Sequence, residues 1–161
     1  MSAGKETVIL AYDGSAAARE AIMTAGRLLK GSRLLVVTVW EEGLAYMAPS
    51  AAASGDMMMT QPVDPEVAHG VDAALHRKAE QVAREGAEMA ASLGLHAEPV
   101  ALADAGNVAH TLIDLAREQH AAAIVVGSRG LSGLRARLEG STSKGLLAHA
   151  PCPVLVVHAS E

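Results

Sequence analysis

The residues with most chemical potential lie in one stretch, GSRGLSGLRARLEGSTSKG, from Gly127 to Gly145. Glycines stand at 127, 130, 133, 140 and 145, and hydroxyls at Ser128, Ser132, Ser141, Thr142 and Ser143. Glycine lets backbone N–H groups approach a ligand with no Cβ in the way, and it tolerates positive φ. Ser141 is placed to open a helix, whose first N–H groups and positive dipole end attract phosphate. The hydroxyls of Ser141, Thr142 and Ser143 can donate to phosphate oxygens, and Arg129, Arg135, Arg137 and Lys144 can offset the charge. The spacing before Lys144 is not that of a Walker A loop, and no GxGxxG follows the first apolar run. Taken alone, the stretch is equally a glycine-rich connection that ends in a helix cap.

A second candidate is Asp13, in Tyr12-Asp13-Gly14-Ser15. In an open α/β sheet, ligands sit beyond the carboxyl ends of the strands, where the strand order reverses. If the first and fourth strands are neighbours there, Asp13 and Gly127 face each other, and the carboxylate can accept from ribose hydroxyls. The competing role for Asp13 is to stabilise the turn or cap the following helix, since Asp-Gly turns are frequent.

Five apolar runs must position these residues: 7–12, 33–40, 96–102, 122–126 and 153–158. The second, fourth and fifth are continuously apolar and rich in Val, as strands buried on both faces are. Helical periodicity fills the gaps over 15–29, 71–93, 107–119 and 141–149, with Ser15, Asn107 and Ser141 as N-caps and Gly31 and Gly94 as terminators. Strict alternation predicts an α/β fold, a doubly wound parallel sheet with helices on both faces. Right-handed crossovers then gather every strand-to-helix loop at one end. Residues 41–70 break the rhythm with Pro49, Pro62, Pro65 and Met57–Met59, and are expected to be a flexible insert in a single domain spanning 1–161.

The 161 residues carry 13 Lys plus Arg against 18 Asp plus Glu, a net charge of −5. No basic cluster offers a nucleic-acid footprint, and no apolar run is long enough to cross a bilayer. The N-terminus lacks a signal-peptide pattern, so a cytoplasmic location is expected. Cys152, the sole cysteine, admits neither an internal disulfide nor a cysteine metal cage. None of the seven histidines has the i, i+4 spacing of a helical metal site, so no metal ligands are assigned.

Gly127, Gly130, Gly140 and Ser141 match G-x2-G-x9-G-[ST], the signature of the ATP-binding members of the universal stress protein family. Asp13-Gly14-Ser15 after the first strand and Pro151-Cys152-Pro153-Val154-Leu155-Val156-Val157 at the end are similar to the family too, so the chain resembles it over nearly its whole length. The resemblance implies a three-layer α/β/α sandwich, Rossmann-like, with a five-stranded parallel sheet in order 3-2-1-4-5. It implies that Asp13 meets the ribose, that backbone at Val39 meets the adenine edge, and that Ala11 and Val126 line the base pocket. Gly127, Arg129, Gly130, Gly140, Ser141 and Thr142 would surround the phosphates, and Tyr12 and Ser128 complete the set of residues expected to bind the nucleotide. Ala11 departs from the family pattern, where many members carry Pro.

The expected ligand is ATP or a close adenine nucleotide, with or without Mg2+, held by a nucleotide-dependent regulatory module of the stress response. The alternative is slow ATP hydrolysis or phosphoryl transfer onto a hydroxyl among 141–143. Efficient phosphoryl transfer needs a metal clamp and a positioned base, and the residues near the loop offer little of either. A receiver domain is rejected, because Asp13 has no acidic neighbour there and no lysine follows the fifth strand. That strand, Val154 to Val157, would be a bare apolar edge, and pairing with its copy would close a homodimer.

Overall fold

Among the described residues nine elements follow in chain order: β1 (Thr7–Ala11), α1 (Ala16–Leu28), β2 (Arg33–Glu41), α2 (Pro65–Ser92), β3 (His96–Asp104), α3 (Val108–Glu118), β4 (Ala123–Gly127), α4 (Ser141–His149) and β5 (Val154–Val157). The computed structural model describes residues 5–43, 64–104, 107–128 and 141–159. All strand pairs are parallel and the sheet order is β3-β2-β1-β4-β5. The order reverses between β1 and β4, where the chain's candidate residues were expected to meet.

Each strand sends alternate side chains to opposite faces. Val8, Leu10, Leu34, Val36 and Val125 face α1 and α2, where Ala18, Ala21, Ile22, Ala87 and Ala90 complete one core. Ile9, Ala11, Leu35, Val37, Ile124 and Val126 face α3 and α4, packing on Ala109, Leu112, Ile113 and Leu146. The alanines let helices approach the sheet closely, which replaces the bulk that absent phenylalanines would have supplied. Gly145 goes further: a Cβ there would stand 2.9 Å from the Cβ of Ala109, so α4 lies against α3 at glycine distance.

Helix termini follow local chemistry. The Ser15 hydroxyl accepts from the Ala18 N–H, and the Asn107 side chain from the His110 N–H. After α2, Gly94 (φ +80°) donates to the Ala91 carbonyl and Leu95 to that of Ala90, a Schellman closure. After α3, His120 occupies the equivalent left-handed position at φ 50°, with Ala121 closing onto Ala116.

The expected bounds of the insert change at both ends. Strand β2 continues through Glu41, and α2 begins at Pro65, six residues ahead of the Val71 read from periodicity. Pro65 had signalled a break, yet at the first helical turn its missing N–H costs nothing, and Asp64 caps the helix by accepting from the Glu66 N–H. Residues 44–63, with Met57–Met59, lie outside the described residues. Gly31 sits two positions beyond the Leu29 cap of α1, one further than a C′ glycine. Ser141 is the first residue of α4 rather than its cap.

Candidate functional site

Beyond Leu10↔Val125 the ladder between β1 and β4 ends. Strand β4 stays with β5 through Gly127↔Val157, and the Ser128 N–H donates to the Val157 carbonyl at 2.7 Å. Strand β1 stays with β2 through Ala11↔Val37, followed by one bond from the Tyr12 N–H to the Val37 carbonyl at 2.8 Å. A crevice therefore opens at the carboxyl edge between β1 and β4. The N-terminus of α4 lies at this same edge, because β4-α4-β5 is a parallel crossover.

The β1 side of the crevice is set by a tight turn. Gly14 has φ +79°, and one oxygen of Asp13, Oδ1, accepts from the Ser15 N–H at 2.9 Å. That bond gives Asp13 the turn-stabilising role weighed for it. Its Oδ2 has no hydrogen-bond partner among the described residues and is available to a ligand donor. Tyr12 points the other way. Its ring is buried against α2, where a Cβ on Gly86 would lie 2.7 Å from the ring.

Strand β2 contributes a peptide edge. Since Val37 bonds to β1, Val39, two residues on, also directs its N–H and carbonyl toward β1. Strand β1 has left the ladder by then. The Tyr12 carbonyl that would receive the Val39 N–H accepts instead from the Thr38 hydroxyl at 2.9 Å. Among the described residues nothing pairs with either Val39 group on that side. Ala11, Val39 and Val126 share the sheet face toward α3 and α4, so the peptide edge borders a small apolar floor.

Gly127 has a packing reason to be glycine. A Cβ there would stand 2.7 Å from the carbonyl carbon of Ala17 and 2.9 Å from its oxygen and its Cβ. The first turn of α1 therefore rests directly on the end of β4. Thr142 is buried in the first turn of α4, while Lys144 is exposed. Arg129, Gly130 and Gly140 lie outside the described residues, as do Arg135 and Arg137; Ser141 is placed only as the start of α4.

The structure thus gathers Ala11, Asp13, Val39, Val126, Gly127 and Ser128 at one edge, the edge at which α4 begins, and takes the Tyr12 side chain away from it. Sequence reading missed Thr38 and Asp104. Asp104 is buried at the end of β3, and its Oδ1 accepts from the Asn107 N–H and the Thr111 hydroxyl, both at 2.9 Å. The Asp-x-x-Asn spacing ahead of a helix was its available signal; Thr38 had none inside a continuous apolar run. Among the described residues no group of three His, Cys, Asp or Glu could hold a metal ion. Burial pushes the Cys152 thiol up, which suits a packing residue. The arrangement can hold a flat heterocycle by its edge, a sugar hydroxyl and an anion.

The model of the universal stress protein family matches residues 5–158. A universal stress protein of Thermus aquaticus is 33% identical over 154 residues, 94% of this chain and 98% of that protein. Among solved structures, the universal stress protein UspA of Lactobacillus plantarum superposes with a TM-score of 0.68 at 21% identity, covering 94% of this chain and 97% of its own. Three more share the fold as nucleotide complexes: a universal stress protein with cAMP (TM-score 0.62, 24% identity), one from Archaeoglobus fulgidus with dAMP (0.61, 19%) and one from Arabidopsis thaliana with AMP (0.60, 15%). They cover 97%, 95% and 96% of this chain and 98%, 97% and 92% of their own. With the sheet order, the divergence of β1 from β4 and a match from residue 5 to 158, this chain belongs to the universal stress protein family.

Proposed function

We propose that the crevice between β1 and β4 binds an adenine nucleotide, ATP in the first instance, and that the protein is a nucleotide-dependent regulatory module. The observation that carries this is the Val39 peptide edge, unpaired among the described residues, at the crevice that Asp13 borders. Adenine offers an acceptor, N1, next to a donor, the N6 amine, and a strand's N–H and carbonyl complement that pair. Ala11 and Val126 would lie under the base, and Asp13 Oδ2 would accept from the ribose. Thr142, Ser141 and the N-terminus of α4 would meet the phosphates, with Gly127, Ser128, Arg129, Gly130 and Gly140 lining their path. Mg2+ would arrive on the nucleotide's own phosphates, as it commonly does. Three structures of the same fold, solved in complex with cAMP, dAMP and AMP, support an adenine nucleotide as the class of ligand.

A homodimer through β5 belongs to the same proposal, because the two sheet edges differ. On β3, Pro99 falls where an added strand would need an outward N–H. On β5, Val154 to Val157 are all apolar and free of proline.

A thermal-shift titration with ATP, ADP, AMP and cyclic AMP, with and without Mg2+, tests the binding claim. Saturation at about 100 times Kd adds roughly 2.7 kcal/mol. No shift with any nucleotide, from protein shown by mass spectrometry to carry none, would end the proposal. Turnover of ATP on a scale of seconds would replace the regulatory module with an enzyme.

A further inference from the structure

We infer that Thr38 is the positioning residue that keeps the Val39 peptide edge open, and thereby sets preference for adenine over guanine; this rests on the nucleotide site proposed above. A parallel ladder in the register Ala11↔Val37 has a defined next rung, Val39 N–H to the Tyr12 carbonyl. The Tyr12 N–H still makes its rung, to Val37 at 2.8 Å. The Tyr12 carbonyl does not; it accepts from Thr38 Oγ1 at 2.9 Å.

The two residues lie on opposite faces. Val39 faces α3 and α4, whereas Thr38, its sequence neighbour, points to the α2 side with Tyr12. The hydroxyl therefore turns the carbonyl out of the ladder and away from the ligand face. Thr38 is 8% exposed, so its hydroxyl needs a partner inside the protein, and a β-branched side chain holds one χ1 firmly. The result is a donor and an acceptor presented together at the crevice, where a continued ladder would have consumed the donor.

Thr38→Val keeps the shape and removes the hydroxyl. The Tyr12 carbonyl then takes the Val39 N–H, and the ladder grows by one rung. Amide hydrogen exchange of the ligand-free protein, read by NMR, tests this step without any nucleotide. The Val39 amide exchanges freely in the parent and in Thr38→Ser, and slows by about tenfold or more in Thr38→Val. A protected Val39 in the parent, or no slowing in Thr38→Val, overturns the inference.

Calorimetry with ATP and GTP tests the second step. Thr38→Val loses about tenfold in ATP affinity, the loss of one hydrogen bond, with GTP little changed, and Thr38→Ser recovers the parent's ratio. An unchanged ATP-to-GTP ratio in Thr38→Val overturns the assignment of base preference. Absence of nucleotide binding in the parent would instead defeat the proposed function, while the exchange result would still report on Thr38.

Discussion

Replacing Gly127 with alanine sets two effects of opposite sign against each other. Gly→Ala at an unstrained position removes freedom from the unfolded chain and stabilises by about 0.4–1 kcal/mol. Against that, the new Cβ would meet the Ala17 carbonyl carbon at 2.7 Å and its oxygen at 2.9 Å. Those are backbone atoms in the first turn of α1, so no rotamer change relieves the overlap. Overpacking of this kind costs about 1–3 kcal/mol. The contact should win, leaving a net loss of about 1–2 kcal/mol. At about 2–4 °C per kcal/mol for a chain of this size, Tm falls by about 2–8 °C. Urea unfolding of the ligand-free protein gives the free energy directly. A variant that melts at or above the parent would refute the packing account and leave Gly127 to be explained by a ligand alone. The same overlap makes Gly127→Val a poor probe of binding, since α1 and the adjoining Asp13 turn would move first.

Three further perturbations separate local causes. His120→Gly relieves a left-handed residue and should stabilise by up to about 1 kcal/mol in urea unfolding. A loss instead would mean that the bond between His120 Nδ1 and the Arg117 carbonyl, 2.8 Å, outweighs the strain. The Glu98 carboxylate is held below its usual range, chiefly by the hydrogen bond from Arg33, which pairs with it through two nitrogens at 2.8 and 2.7 Å. A depressed folded pKa gives stability present above the unfolded pKa and lost as pH falls through the folded one. Glu98→Gln should therefore be slightly less stable than the parent at neutral pH and equal to it in acid, and added salt should narrow the neutral gap. On β5, the carbonyls of Pro153 and Val157 face β4, so Val156 directs its N–H outward. Val156→Pro should turn the dimer proposed through this edge into monomer by light scattering while the far-UV spectrum persists; an unchanged dimer would place the interface elsewhere.

Much of the fold was legible because burial on both sheet faces writes continuous Val-rich runs, as in β2 and β4. Where the reading fell short, a residue had two physical meanings. Pro65 breaks a helix interior but begins a helix well, and only the Asp64 cap decides between them. Tyr12 was grouped with its neighbour Asp13, although alternation along Val8, Leu10 and Tyr12 puts its ring with α2. Gly127 was read as room for a ligand, and its Cβ position turns out to be occupied by Ala17. That contact joins residues far apart in sequence, and no local pattern encodes it. Asp13 was legible in its turn role, which the bond from the Ser15 N–H to Oδ1 fills. Thr38 was not, because its importance comes from the register of β1 against β2, which a single strand does not display.

The most direct test is a titration of the amide-labelled protein with ATP followed by two-dimensional NMR. Binding at the crevice predicts the largest shifts at Asp13, Val39, Gly127, Ser128 and Thr142, with Arg33 and Glu98 at the opposite end of the sheet unmoved. Saturable shifts confined to that opposite end, or none at millimolar ATP, would contradict the nucleotide site.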